Sequence, residues 1–233
     1  DSPHAHRRQV AVEDRSWTAH GVDIEAKIAE VAAFDQWVGL QLEICYRFGA
    51  RPKEARHFRP HGALIPRELA FERDAAAYPE CEEFVRFAQG TKGGRPRDEP
   101  LQTPEQRELL LRLQRIVAKG WYVGQPGRTA YQNENRFYNV LRRFGITRTA
   151  LGVTAHGLRH QSANDGYEAD TGALSPVRGQ QERPENDADA RYRTAIRLGH
   201  SRLRSSTFYV GTMGKNGQAA KPAPDGDPME QSA

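Results

Sequence analysis

Apolar residues recur at helical intervals in several parts of this chain, and this spacing restricts it to a largely helical fold. From Val22 to Phe48 an apolar side chain returns every three or four residues, which predicts one long helix or two helices in series. Thr103-Pro-Glu-Gln106 combines an N-cap threonine, a first-turn proline and a capping-box glutamine, so a helix is predicted from Thr103 to about Ala118. Further helices are expected after Arg51, over Glu68–Ala77, over Glu134–Phe144, from about Gly157, over Ala188–Leu198 and from about Ser205.

One short region predicts strands instead of helix. Phe84–Gln89 is rich in apolar and aromatic residues, Lys92-Gly-Gly94 has the composition of a tight turn, and Arg95–Leu101 follows as a returning segment. This order is typical of a β-hairpin with Lys92 at its tip. The expected fold class is therefore mainly α with a small antiparallel β-sheet (α+β).

The length of 233 residues suits one large domain with flanking segments. Residues 1–20 have no periodicity and are predicted to be a linker remnant, and 21–211 are predicted to form the domain. Residues 212–233 are polar and contain proline, which is typical of a disordered tail. The acidic stretch at about 166–190, interrupted by glycine and proline, is expected to be a surface insertion. It should either project away from a bound polyanion or screen the binding site before the polyanion binds. Because the chain begins at Asp1, we expect an N-terminal portion to be missing.

Charge is distributed unevenly along the chain. Residues 135–164 contain five arginines and no carboxylate, 191–224 contain seven basic residues and no carboxylate, and 165–189 contain seven acidic residues against two arginines. Basic segments of this kind are expected where a protein contacts DNA, although an ordinary solvated surface remains the alternative. The candidate DNA-binding residues are Arg136, Arg142, Arg143, Arg148, Arg202 and Arg204.

Cysteine content and hydropathy bear on the compartment. The two cysteines, Cys45 and Cys81, are too few for a disulfide framework, which suits a reducing environment. No apolar run approaches the ~18 residues of a membrane span. We therefore expect a cytoplasmic protein that does not contact membranes; a DNA-contacting surface would in addition make it nucleoid-associated in a bacterial-type cell.

The residues from Ala155 to Gly211 carry side chains suited to phosphoryl transfer. His156-Gly-Leu-Arg159-His160 opens this stretch, Leu198-Gly-His200-Ser lies near its end, and Tyr209 follows nine residues after His200. Cleavage of a nucleic acid backbone needs donors for the phosphate oxygens, an acid for the leaving oxygen and a nucleophile. Histidine, arginine and tyrosine can supply donors and a nucleophile here.

Five motifs in this order resemble the catalytic domain of the tyrosine recombinases, the phage-type integrases. Phe48–Ala55 resembles the first-arginine box, and Thr91–Leu101 resembles the hairpin that carries the catalytic lysine. The His156–His160 segment resembles the H-x-x-R box, Leu198–Ser201 the second histidine box, and Tyr209 stands at the family's spacing from it. The resemblance spans roughly two-thirds of the chain. It implies the integrase catalytic-domain fold.

The resemblance also implies a role for each residue. Arg51 and Arg159 would each fork onto the scissile phosphate, and arginine suits this because its planar donors match phosphate geometry. Tyr209 would be the nucleophile of a 3′-phosphotyrosyl intermediate. His156 and His200 would donate hydrogen bonds to the phosphate or shuttle the tyrosine proton, and Lys92 would be the general acid. Glu54 would orient Arg51 or the histidines, and His160 would serve in packing.

No cofactor and no metal is expected. His156 and His160 are four residues apart and could ligate zinc from one helix face, but the glutamate of H-E-x-x-H and a third ligand are lacking. The expected partner is double-stranded DNA, with self-assembly as a dimer or tetramer on paired sites and a missing N-terminal DNA-binding domain. The alternatives are relaxation of DNA like that of a type IB topoisomerase and a non-catalytic basic DNA-binding module.

Overall fold

A computed structural model describes residues 10–200 and 203–213, with the backbone only at Leu203 and Arg204. The described residues are mainly helical and include one small antiparallel sheet, as predicted. The helices are α1 (Ile24–Phe34), α2 (Gln36–Arg47), α3 (Pro52–His57), α4 (Glu72–Ala77), α5 (Pro104–Ile116), α6 (Ala130–Arg143), α7 (Ala155–Thr171), α8 (Asp187–Arg197) and α9 (Thr207–Val210). The strands are β1 (Leu64–Pro66), β2 (Glu83–Phe87) and β3 (Arg97–Pro100).

The apolar stretch from Val22 to Phe48 forms two helices because Asp35 interrupts it. Asp35 has an extended backbone, and its carboxylate accepts hydrogen bonds from the backbone N–H groups of Trp37 (3.1 Å) and Val38 (3.2 Å). An aspartate in this position caps the free N–H groups of a new helix. The two alternatives left open by the periodicity are thus decided in favour of two helices in series.

The hairpin is present, and a third strand precedes it. β2 pairs antiparallel with β3, with Phe84 opposite Pro100 and Phe87 opposite Arg97. A 3₁₀ turn at Lys92–Gly94 lies between the two strands. β1 adds to the other edge of β2. The sequence did not predict β1, because a three-residue strand carries too little pattern to be recognised.

Several boundaries differ from the prediction. The helix predicted over Glu68–Ala77 begins at Glu72, after a 3₁₀ turn at Arg67–Leu69. α6 begins four residues earlier than Glu134, because Thr129 and Gln132 form a capping box that the prediction overlooked. α7 runs to Thr171, so it includes the first part of the predicted acidic insertion. α5 ends at Ile116 rather than at about Ala118. The capping box at Thr103 and Gln106 is confirmed.

The predicted insertion is packed against the domain. Tyr167 is fully buried and donates its hydroxyl hydrogen to Asp187 Oδ1 at 2.6 Å. Arg178, in the loop between α7 and α8, forms ion pairs with Asp14, Asp165 and Glu168 at 2.9 to 3.0 Å. Part of 166–190 is therefore packed into the domain and does not form a freely projecting loop. Its acidic side chains are partly neutralised by an arginine of the same segment.

Residues 10–20 are not a linker. The Trp17 side chain is fully buried, and its Nε1 donates to the carbonyl oxygen of Thr154 at 2.8 Å. The backbone N–H of Ala11 donates to the carbonyl of Thr207 at 2.9 Å, directly beside α9. The linker prediction is wrong for this part because one tryptophan without helical periodicity gave no sign of burial. Residues 1–9, which complete the predicted linker, and 214–233, most of the predicted tail, lie outside the described residues.

Two clusters of buried apolar side chains hold the elements that carry the candidate site in position. The larger one joins α1, α2, α5, α6 and the start of α7. A smaller cluster consists of Ala163, Tyr167, Ala190, Leu198, Tyr209 and Val210. This smaller cluster packs α9 against α7, beside Ala190 of α8 and Leu198, and it therefore sets the position of Tyr209.

Candidate active site

Arg159 on α7 and Tyr209 on α9 are in direct contact. Arg159 Nε donates to the Tyr209 hydroxyl oxygen at 3.1 Å, and its guanidinium carbon lies 5.4 Å from the centre of the tyrosine ring. Arg159 is fully buried and Tyr209 is 6% exposed. The phenol oxygen therefore accepts a hydrogen bond from a buried, charged donor.

The other donors of Arg159 bind backbone carbonyls. Nη1 donates to the Gly49 oxygen at 2.6 Å, and Nη2 donates to the Leu198 oxygen. The guanidinium thus joins α9, the turn between α2 and α3, and the end of α8. These contacts and the bond to Tyr209 use three of the five N–H groups of the guanidinium, and because the side chain is fully buried, a phosphate reaches it only if a neighbouring group moves aside.

Arg51 approaches the same point from α3. It is the residue before Pro52, and its extended backbone places it at the N-cap of α3. Its Nη1 donates to Glu54 Oε1 at 2.6 Å, and its Nη2 approaches the Leu198 oxygen at 3.4 Å. Arg51 and Arg159 therefore converge on one carbonyl, and the 17% exposure of the Arg51 side chain leaves part of it accessible.

Glu54 is the buried counter-ion of this arginine cluster. Its carboxylate lies 3.4 Å from Arg97 Nη2 and 3.9 Å from Arg159 Nη1, besides its contact with Arg51. Burial alone would raise the pKa of Glu54, but the positive charges of Arg97, Arg159 and Arg51 outweigh it and lower the pKa to about 2. Glu54 therefore stays ionised and holds the guanidinium groups in place.

Three histidines surround the Tyr209 ring. His200 Nε2 lies 3.4 Å from the Tyr209 hydroxyl oxygen, and the ring centres of His160 and His156 lie 4.8 Å and 6.3 Å from that of Tyr209. Desolvation first, and then Arg159 and Arg51, lower the pKa of His200 to about 3 and that of His156 to about 4. Desolvation and then His156 lower the pKa of His160 to about 3. All three rings are therefore neutral at pH 7, and in this state each is a weak base.

Arg97 is a residue of the site that the sequence did not single out. This fully enclosed side chain on β3 bonds Glu99, and it donates to the carbonyls of Arg197 (2.8 Å) and Phe48 (3.3 Å). The turn before His200 passes close over it, since a Cβ at Gly199 would lie 2.8 Å from Arg97 Cδ. The alternation of Arg97 and Glu99 on one face of a strand was the available signal.

Lys92 lies at the edge of this cluster. It is exposed, at the start of the 3₁₀ turn between β2 and β3. Its charge contributes to lowering the pKa of His200, so it lies within electrostatic range of that ring. Within the described residues, no hydrogen bond or ion pair engages Lys92. The lysine therefore faces solvent near the site but does not touch Tyr209.

The candidate DNA-binding arginines occupy varied surroundings. Arg136 pairs with Asp35, Arg142 donates to Asn139, and the guanidinium carbon of Arg143 lies 4.4 Å from the Phe34 ring centre. Arg148 is exposed beside the N-terminus of α7. Arg202 lies outside the described residues, as does the side chain of Arg204. The described arginines thus lie at the surface or near it, and Arg136 and Arg142 already have partners there.

Neither a metal centre nor a membrane span is found in the described part of the chain. No group of three or more histidine, cysteine, aspartate or glutamate side chains in 10–200 and 203–213 is placed to hold a metal ion. In the same residues, every helix is too short or too polar to cross a bilayer.

Comparison with known proteins does not assign the chain to a family. No family profile, curated protein or solved structure matches it. Its function has therefore to be argued from the geometry of the site.

Proposed function

We propose that this chain is a site-specific DNA recombinase or integrase, which cleaves and rejoins double-stranded DNA through a covalent bond between Tyr209 and a 3′ phosphate. The observation that carries the proposal is the position of the Tyr209 hydroxyl, 3.1 Å from Arg159 Nε and 3.4 Å from His200 Nε2. These residues are separated by 50 and 9 positions in sequence. The fold proposed with this function is that of the tyrosine recombinase catalytic domain.

The first chemical step needs a base for the phenol proton. A phosphate anion bound at Arg51 and Arg159 offsets positive charge that lowers the pKa of His200. With its proton on Nδ1, the His200 ring then accepts the phenol proton at Nε2, while Arg159 Nε donates to the same phenol oxygen. The phenolate oxygen then attacks the scissile phosphorus. The bond from phosphorus to the 5′ oxygen breaks as the new ester forms.

The arginines act on the charge of the transition state. More negative charge lies on the phosphate oxygens there than in the ground state, so guanidinium groups fixed in advance stabilise it selectively. Arg51 is partly exposed, and Arg159 becomes available as Tyr209 moves onto the phosphate. Glu54 and Arg97 keep both groups aligned.

Lys92 is suited to protonate the departing 5′ oxygen. An exposed lysine on a turn can follow the substrate, and an ammonium group can give up one proton. In the reverse step the 5′ hydroxyl attacks the phosphotyrosyl ester and releases Tyr209. The ester conserves the energy of the phosphodiester, so rejoining requires no nucleotide cofactor. Exchange of strands follows if two sites are paired by a dimer or tetramer of the chain.

The experiment is covalent trapping on nicked duplexes. A pool with randomised central sequences is incubated with the protein, and complexes that resist denaturation are isolated. The wild-type chain should form a covalent adduct, and the Tyr209→Phe variant should form none. The control variant Tyr192→Phe, which changes an exposed tyrosine, should form the adduct like the wild type. Absence of the wild-type adduct, or its persistence in folded Tyr209→Phe, refutes the proposal. Joined products from two duplexes would identify recombination.

A further inference from the structure

A cavity of about 290 Å³ opens beside the cluster around Tyr209. Its charged and imidazole lining residues are Arg15, His20, Arg148, His156, the buried His160 and one carboxylate, Glu13. We propose that this cavity binds a second phosphate of the cleaved DNA strand, next to the scissile one. This inference rests on the proposed function and adds a phosphate subsite to it.

The cavity has walls that are set by close backbone packing. Gly152 has φ +73°, and a Cβ there would lie 2.7 Å from His20 Nδ1, so His20 approaches in a way that only glycine permits. A Cβ at Gly157 would lie 2.7 Å from the Arg15 carbonyl oxygen. The N-terminal segment is therefore seated directly on the first turn of α7.

The charges of the cavity suit an anion. The side chain of Arg148 has no ion-pair partner among the described residues. Arg15 pairs only with Glu13, at 3.3 Å, and both side chains are about half exposed or more. An exposed pair of this kind is worth little, so a phosphate can compete with Glu13 for Arg15. The N-terminus of α7, at Thr154, adds its own positive potential.

His160 provides an independent sign of a ligand. It is 5% exposed and lines the cavity, and its Nδ1 has no hydrogen-bond partner within the described residues. A buried polar atom without a partner is unfavourable unless water or a ligand satisfies it. A phosphate, or water that accompanies it, would do so.

The position of the cavity indicates that it binds a phosphate next to the scissile one. His156 lies between the two sites, since it lines the cavity while its ring centre is 6.3 Å from that of Tyr209. Successive phosphates of a strand are one nucleotide apart, so a strand whose scissile phosphate is at Tyr209 places a neighbouring phosphate within reach. Contacts of this kind position DNA without reading its sequence.

The test couples a change in the DNA to a change in the protein. A neutral methylphosphonate replaces, one at a time, each phosphate flanking the cleaved one in the nicked duplex. At one flanking position it should slow wild-type adduct formation about tenfold, the effect of losing one charged hydrogen bond. In the Arg15→Gln/Arg148→Gln double variant the same replacement should slow the reaction less than about twofold. Arg115→Gln, at an exposed arginine of α5, should behave like the wild type. Equal sensitivity of wild type and double variant at every position overturns the inference.

A second measurement does not depend on cleavage. Inorganic phosphate, titrated against sodium chloride at constant ionic strength, should shift the NMR ring signals of His20 and His156 in the wild type and not in the double variant. If these shifts appear but no adduct forms, the cavity binds phosphate. The recombinase proposal then fails, and so does the inference that the phosphate belongs to a cleaved DNA strand. If neither is seen, both proposals fail.

Discussion

Arg159 Nε donates to the Tyr209 hydroxyl oxygen at 3.1 Å while its Nη1 donates to the Gly49 carbonyl at 2.6 Å. One guanidinium therefore holds the candidate nucleophile and the turn that leads to Arg51. Tyr209 is 6% exposed in this arrangement, so its phenol occupies the space beside Arg159 that a phosphate would use. The proposed reaction therefore requires the phenol to move far enough to admit the scissile phosphate.

Replacing Arg159 by lysine should slow adduct formation by a hundredfold or more. A single ammonium cannot bond the phenol and two carbonyls at once, and it lacks the fork that matches phosphate. Single-turnover trapping on the nicked duplex measures the rate, and Arg115→Lys serves as the control. A rate within threefold of wild type would show that Arg159 does not stabilise the transition state.

Arg97→Met should lower the free energy of unfolding by roughly 3–5 kcal/mol, because Glu54 and Glu99 would keep buried charges with fewer partners. Urea unfolding measures the change. The exposed pair of Arg107 with Glu83 gives the comparison, since Arg107→Met should change stability by less than about 1 kcal/mol. Equal effects of the two substitutions would mean that the Arg97 network contributes no more than a surface pair.

Trp17→Ala should destabilise the protein by about 3–5 kcal/mol, because it empties the space of a fully buried indole. Trp121 is 50% exposed, and Trp121→Ala should change stability by roughly 0.5 kcal/mol or less. Thermal or urea unfolding compares the two variants. Should Trp17→Ala prove as mild as Trp121→Ala, residues 10–20 would be a linker after all.

The stability of the protein should fall as the pH is lowered from about 6.5, the usual histidine pKa of an unfolded chain. The pKa of His160 is about 3 in the folded state, so below pH 6.5 the unfolded state binds a proton that the folded state does not. Each such histidine contributes a slope of up to about 1.4 kcal/mol per pH unit. His160→Asn should therefore make the dependence between pH 6.5 and 5 shallower.

Urea unfolding at pH 7, 6 and 5 tests this dependence. His57→Asn is the control, because His57 lies on α3 and bonds the Lys53 carbonyl, away from the Tyr209 cluster. An unchanged slope in His160→Asn would show that His160 takes up its proton equally in both states.

Most helix positions could be read from sequence because helix starts depend on neighbouring residues. Thr103 and Gln106 cap α5 over three positions, and Pro52 starts α3 directly after Arg51. The β2–β3 hairpin was equally accessible, since its turn joins adjacent segments. β1 and the early start of α6 were missed, the former because it is short and the latter because the Thr129 capping box was not recognised.

Sequence alone determined the candidate residues and their order, from Arg51 through His156 and Arg159 to Tyr209, because these are short patterns of residue types. Only the tertiary structure decided that Arg97 bonds the Arg197 carbonyl, 100 positions away, and that Trp17 bonds Thr154 across 137 positions. It also decided that Tyr209 is buried against Arg159. Such contacts depend on how helices and strands pack together, and no local pattern of residues specifies that packing.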